Sequence, residues 1–224
     1  MKQRSKHQHS KRSSKRAKMV SDKRRDDPLI DVPLIVQIEQ QMLDAPDSTE
    51  ICGYFEVDSG NTLKIREPYY KGTITETGRH TCQRHGHPTK YLWHTHPINA
   101  KFYPSEEDIY TVIKHKVYSY IFTPIGYWTL HCQEGERIIK QTKQRTKKRG
   151  SKKRRAKSSK SSSLQILKSI NKSLMHQALD YRTIRDPEER LEVAKEHSSQ
   201  PIIHRYESAL MREFPGLYVQ WTPL

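Results

Sequence analysis

Two runs of basic residues divide the chain and limit which parts of it can form a hydrophobic core. Residues 1–25 contain 11 Lys or Arg and one acid, and residues 141–160 contain 11 Lys or Arg and no acid. Like charges repel one another and bury no apolar surface, so neither run folds alone. We therefore predict a disordered basic arm over 1–27, a folded core over 28–139, a basic linker over 140–163 and a mainly helical extension over 164–224 that packs on the core.

Runs of this kind bind polyanions, because Lys and Arg neutralise phosphates or acidic surfaces. The runs contain no interleaved aromatic residues, so we expect contacts with phosphate rather than base readout by stacking. The alternatives are a solvated tail that only aids solubility, or a nuclear import signal over 147–157. The residues expected to contact a polyanion are Lys147, Lys148, Arg149, Lys152, Lys153, Arg154 and Arg155.

Cysteine usage and hydropathy indicate where such a chain would work. The three cysteines, Cys52, Cys82 and Cys132, are too few and odd in number for a disulfide framework, which fits a reducing compartment. No apolar run approaches the length of a membrane span, and the basic N-terminus lacks the apolar core of a signal peptide. We expect an intracellular protein of the cytoplasm or nucleus, or one packaged in a particle assembled there.

The order of predicted elements favours an α+β fold, with one mixed sheet and helices on its faces. A helix over 33–43 precedes a hairpin, with strands at 51–57 and 62–66 and a turn between them. An irregular stretch, 67–90, leads to a short strand at 91–93. A helix over 105–116, strands at 117–123 and 127–132, helices beyond 164 and a closing strand at 216–222 complete the pattern.

A metal site is predicted from three residues in the middle of the chain. His94 and His96 are separated by one residue, so on an extended segment both imidazoles point to the same face. Asp108 lies one turn into the helix that follows and supplies a third ligand. Two imidazoles and one carboxylate suit Zn²⁺ and leave a fourth position for water, as in catalytic rather than structural sites. A second carboxylate is then needed as a base, but spacing alone does not select one.

Two motifs resemble those of the JAMM (MPN-plus) zinc metallopeptidases. The first is His94-Thr95-His96-Pro97 followed by Ser105-Glu106-Glu107-Asp108, which is similar to H-x-H-P…S-x-x-D. The second is Glu50-Ile51-Cys52-Gly53, which is similar to the upstream E-x-x-G strand. The resemblance covers about residues 30–135. The chain departs from the family pattern in having eight residues between His96 and Ser105, where seven are usual.

The resemblance implies a fold, a reaction and a set of roles. The fold would be a JAMM/MPN-like mixed sheet flanked by helices, layered as in cytidine deaminases. Zn²⁺ would be held by His94, His96 and Asp108, Glu50 would activate the attacking water, and Ser105 would hydrogen-bond the oxyanion. The substrate would be a protein amide bond, often the isopeptide bond of a ubiquitin-like conjugate.

Other interpretations of the same residues remain open. Ser105 and Asp108 could form only a helix capping box. A second cluster, His80, Cys82, His85 and His87, could hold another metal ion or be an ordinary polar loop.

Two other functions fit the sequence. The chain could be a structural component of a large assembly such as a virion, since large DNA viruses encode JAMM-like proteins. It could also be a nucleic-acid binder that uses the core as a rigid body.

Overall fold

The computed structural model describes residues 27–45, 49–74, 80–81, 89–97, 100, 102–132, 159–175, 184, 186–198 and 201–224. The predicted basic arm up to residue 26 and the linker up to residue 158 lie outside these residues. Within the ranges given, no helix combines the length and the apolar character needed to cross a bilayer.

Five α-helices and eight strands make up the described part of the chain. The helices are α1 (Val32–Leu43), α2 (Glu106–His115), α3 (Ser159–Ile170), α4 (Pro187–Ser198) and α5 (Pro201–Glu213), and a π-helical turn, Asn171–Met175, follows α3 directly. The strands are β1 (Ile51–Val57), β2 (Leu63–Lys71), β3 (Thr73–Ile74), β4 (His80–Thr81), β5 (Tyr91–Thr95), β6 (Tyr118–Thr123), β7 (Gly126–Cys132) and β8 (Leu217–Pro223).

Six of these strands form one mixed sheet in the order β2-β1-β5-β6-β7-β8, while β3 and β4 pair separately. Neighbouring strands in the large sheet are antiparallel, except that β5 and β6 are parallel. Parallel neighbours need a crossover connection, and α2 supplies it. The predicted α+β class with a mixed sheet is confirmed.

Each face of the sheet carries its own hydrophobic core. On one face, Leu34 and Ile38 of α1 pack against a group of aromatic side chains that includes Phe55, Trp93 and Phe122. On the other face, α2, α3 and α5 cover Leu92, Ile121, Trp128 and Leu130, among others. Successive strand residues point to opposite faces, so the alternation along β5 places Trp93 towards α1 and Leu92 towards α2.

The C-terminal segment is built into the sheet. Strand β8 pairs along its whole length with β7, with Trp128 opposite Trp221. Its alternate residues Leu217, Val219 and Trp221 are buried in the core beneath α5. Residues beyond the linker therefore complete the sheet as well as covering it.

Two strands are longer than the sequence predicts. The stretch 67–90 was expected to be irregular, but β2 continues to Lys71 despite Pro68. Proline has no backbone N–H to donate. Because β2 lies at the edge of the sheet, Pro68 does not interrupt the hydrogen bonds between central strands. The pairing of β1 with β2 changes register between Cys52 and Tyr54: Cys52 pairs with Tyr70, whereas Tyr54 pairs with Arg66. Strand β5 also continues two residues further, to Thr95, so that His94 lies within it.

The cysteines differ from the sequence-based expectation at one position. Cys52 is buried and disulfide-bonded, whereas Cys132 is buried and is not part of a disulfide bond. An odd number of cysteines guarantees one unpaired thiol but does not prevent a single disulfide. One disulfide bond is not a framework, but the sequence did not predict the bond at Cys52.

Candidate metal centre

The two histidines lie at the carboxyl end of the central strand β5. His94 pairs with Ile121 of β6 on one side and with Cys52 of β1 on the other. His96 follows the end of β5, and its backbone N–H donates to the carbonyl of Phe122 at 2.7 Å. Both side chains are buried, with 5% and 7% of their surfaces exposed for His94 and His96. Backbone pairing therefore fixes both imidazoles on the face that α2 covers.

Asp108 reaches the histidines because of the way α2 begins. Ser105 is the N-cap residue: its Oγ accepts from the N–H of Asp108 at 3.2 Å, and its own N–H donates to Asp108 Oδ2 at 2.8 Å. These reciprocal bonds form a capping box, which satisfies two backbone donors at the helix start. They also turn the Asp108 carboxylate back towards the end of β5. The capping box and the predicted ligand set are thus compatible.

Three potential ligand atoms converge at this point. His94 Nε2 and His96 Nε2 are 3.2 Å apart. Asp108 Oδ1 is 3.4 Å from His94 Nε2, and Asp108 Oδ2 is 3.7 Å from His96 Nε2. Ligand bonds to zinc of about 2.0–2.1 Å, at tetrahedral angles, place neighbouring ligand atoms about 3.3 Å apart. The observed triangle fits one face of such a tetrahedron, so this group could bind a metal ion.

The electrostatics of the triangle favour an ionised carboxylate. Burial raises the pKa of Asp108, but the neighbouring His94 and His96 imidazoles and the hydrogen bond from Ser105 outweigh burial and hold the pKa well below its usual range. A ligand for a divalent cation must be deprotonated, so the site keeps Asp108 in its binding form. The Asp108 side chain is 18% exposed, more than either histidine.

Glu50, the predicted base, is not one of the three residues that could hold the metal ion. It immediately precedes β1 and is half-buried, and its carbonyl accepts from the N–H of Gly72 at 2.6 Å. Directly opposite residues of an antiparallel pair share a face, so Cys52 lies on the same face as His94. Strand alternation then assigns Glu50 to that face too, level with His96.

One residue at the site was only a spacer in the sequence-based interpretation. Thr95 separates the two histidines, and its buried Oγ1 accepts from the backbone N–H of Ile51 at 2.9 Å. This bond ties the start of β1, next to Glu50, to the end of β5. Nothing in the spacing of the residues indicates such a bond, because the partners are 44 positions apart.

The other sequence-based site predictions lie largely outside the described residues. This applies to Cys82, His85 and His87 of the second cluster, whereas His80 is described only as part of the backbone of β4. It applies equally to the predicted polyanion contacts of the linker, Lys147, Lys148, Arg149, Lys152, Lys153, Arg154 and Arg155.

Comparison with known proteins adds nothing to this geometry. No family model matches the chain, and neither a curated protein nor a solved structure is significantly similar to it. What can be argued about its function therefore depends on the arrangement of its own residues.

Proposed function

We propose that the chain is a zinc-dependent metallopeptidase of JAMM type, which hydrolyses amide bonds, including isopeptide bonds to ubiquitin-like proteins. One observation carries the proposal: His94, His96 and Asp108 present three ligand atoms 3.2–3.7 Å apart, the spacing of one face of a tetrahedral zinc site. Three protein ligands with an open side are typical of catalytic zinc sites, whereas structural sites are closed by four.

The donors favour a transition metal such as zinc over magnesium or calcium. Imidazole nitrogens suit zinc and other transition metals, while magnesium and calcium prefer sites made of oxygen atoms. When bound, zinc would polarise the scissile carbonyl and lower the pKa of a water molecule to about 7. The JAMM-type fold is part of the proposal and rests on the two sequence motifs together with the α+β sheet.

Each remaining residue has a role that its position supports. Glu50, on the face of the imidazoles, would accept the proton of the attacking water at its carboxylate and deliver it to the leaving nitrogen. Ser105 Oγ accepts from the Asp108 N–H, and its hydroxyl would donate to the oxygen of the scissile carbonyl when substrate is bound. A donor placed there stabilises the negative charge that develops during the reaction.

The test combines metal analysis with substrate turnover. Purified protein should contain about one zinc per chain and cleave ubiquitin chains or a related isopeptide substrate. Glu50→Gln should retain the zinc but lose turnover by a factor of about 10² to 10⁴, the usual contribution of a general base. Glu56→Gln, at an exposed position of β1, the strand that Glu50 precedes, is the matched control and should keep both the zinc and the turnover. Unchanged turnover in Glu50→Gln, or zinc-loaded wild-type protein inactive on a broad panel of substrates, contradicts the proposal.

The basic segments keep their predicted role as contacts for nucleic acid or another polyanion. The arm up to residue 26 and the linker up to residue 158 lie outside the described residues, so the inference rests on charge alone. A virion component that uses these arms for assembly is compatible with the same core.

A further inference from the structure

A buried asparagine connects the C-terminal segment to the helix that carries Asp108. Asn171 is the first residue of the π-helical turn after α3, and it is fully buried. Its Nδ2 donates to Oε1 of Glu106 at 3.0 Å, and its Oδ1 accepts from the hydroxyl of Tyr206 at 3.0 Å. Hydrogen bonds to an ionised carboxylate are among the stronger ones in proteins.

Tyr206 of α5 extends the same contacts to the loop before α2. Its hydroxyl is also 3.4 Å from the carbonyl of Pro104. Its ring packs edge-on against Trp128, with the centroids 5.6 Å apart. The Trp128 indole N–H in turn donates to the carbonyl of Phe102 at 2.6 Å. Burial raises the pKa of Tyr206 well above its ordinary value, so the hydroxyl keeps its proton and remains a donor.

These bonds surround the residues that build the metal centre. Pro104 immediately precedes Ser105, and Glu106 immediately follows it. The position of the Asp108 carboxylate depends on the Ser105 N–H, which it accepts at 2.8 Å. A displacement of Glu106 would therefore move the N-cap and, through it, the third ligand.

We propose that Asn171 is a positioning residue for the metal centre: through Glu106 it holds the start of α2, and hence Asp108 and Ser105, against the end of β5. The metal-binding consequence rests on the function proposed above. It follows that the segment after the linker is part of the site, since the two groups that hold the start of α2 come from it.

The experiment reverses the polarity of one hydrogen bond in the full-length protein. Asn171→Asp keeps the acceptor for Tyr206 but places a carboxylate against that of Glu106, so the bond is lost. Adding Glu106→Gln restores it, because the new amide donates to the new carboxylate. The pair Asn171→Asp with Glu107→Gln is the matched control: it has the same net charge, but position 107 is exposed and is not bonded to Asn171.

Two measurements are made on each variant. In the metal-free protein, hydrogen exchange of the backbone amides in the first turn of α2 reports whether the helix start is held. Affinity for Co²⁺, measured by its absorption spectrum against a competing chelator, reports whether the ligands are aligned. Asn171→Asp should speed exchange and weaken Co²⁺ binding by about 10-fold, the lower end of the effect for outer-shell partners. The double variant with Glu106→Gln should recover the wild-type exchange rate and Co²⁺ affinity, whereas the double variant with Glu107→Gln should recover neither.

The outcomes separate this proposal from the proposed function. Unchanged exchange in folded Asn171→Asp overturns the positioning role, as does equal recovery in the two double variants. If Asn171→Asp does not fold, the double variant Asn171→Asp with Glu106→Gln tests the proposal. A double variant that folds but does not show the wild-type rate of hydrogen exchange overturns it. Faster exchange in Asn171→Asp together with no Co²⁺ binding by the wild-type protein supports the positioning of α2 and overturns the metallopeptidase function instead.

Discussion

At the scale of single residues, the carboxylate of Asp108 serves two purposes. One oxygen accepts the N-cap N–H of Ser105 at 2.8 Å, and the other lies 3.4 Å from His94 Nε2. The first contact is local and fixes the rotamer, whereas the second joins two elements. A residue whose conformation is set by a cap would bind a metal ion with little further loss of side-chain entropy, because its ligand atom is preorganised.

The two purposes of Asp108 can be separated by mutation. We expect Asp108→Asn to retain the cap, since an amide oxygen still accepts the Ser105 N–H. It should nevertheless lose most zinc affinity, because the amide carries no negative charge. Calorimetric titration with zinc and chemical unfolding of the metal-free protein measure the two effects. Unaltered zinc affinity in this variant would remove Asp108 from the ligand set.

Position 53 requires glycine because a side chain there would clash with Trp93, and not because of its backbone conformation. A Cβ at this position would lie 2.9 Å from Nε1 and 3.1 Å from Cε2 of Trp93. Trp93 cannot move away easily, since it is fully buried, stacks on Phe55 with the centroids 5.7 Å apart and donates to the carbonyl of Tyr54 at 3.3 Å.

We therefore expect Gly53→Ala to lower the free energy of unfolding by about 1–3 kcal/mol through overpacking. Urea unfolding of the metal-free protein measures this change. Gly60→Ala is the control, because Gly60 lies in an exposed turn where the nearest atom, Oδ1 of Asp58 at 3.3 Å, belongs to a flexible side chain. Equal stability of the two variants would show that the packing around Trp93 is looser than described.

At the scale of elements, the site depends on one crossover. Strand β5 runs in parallel with β6, and α2 connects them, so the end of β5 and the start of α2 lie close together. In α/β proteins the carboxyl ends of parallel strands commonly form ligand sites. Here this arrangement brings residues 94, 96 and 108 together even though the rest of the sheet is antiparallel.

Helix α2 should lose stability when its cap is removed. We expect Ser105→Ala to lower the free energy of unfolding of the metal-free protein by about 1 kcal/mol, because the N–H of Asp108 then has no side-chain acceptor. Ser105→Thr keeps the hydroxyl and should retain most of the stability. Thermal unfolding followed by circular dichroism compares the two, and indistinguishable transitions would contradict a stabilising cap.

At the scale of the whole molecule, metal binding should be linked to folding. The three ligands come from β5, the residue after it and α2, so the unfolded chain cannot present them together. A ligand that binds only the folded state stabilises it by about 4 kcal/mol at a concentration 1,000-fold above its Kd. The melting temperature of the wild-type protein should therefore rise with zinc and fall back when a chelator is added.

His94→Ala provides the control for this linkage. It removes the imidazole that lies within 3.4 Å of both other ligand groups, so zinc should no longer raise the melting temperature. A rise equal to that of the wild type would mean that zinc binds elsewhere on the chain.

The sequence by itself determined the elements and the identity of the candidate ligands. Runs of strand-forming residues predicted β1 and β7 to within a residue, and the serine with three acids after it predicted the start of α2, because these signals are local. The i, i+2 spacing of His94 and His96 likewise predicted a shared face, since both lie on or next to one strand.

Only the tertiary structure decided the contacts between distant segments. Thr95 with Ile51, Asn171 with Glu106, and Tyr206 with Pro104 are separated by 44, 65 and 102 residues. The disulfide bond of Cys52 and the extension of β2 past Pro68 also depend on what lies alongside them. Such contacts follow from how the sheet and helices pack, and side-chain periodicity carries no information about which buried polar groups will meet.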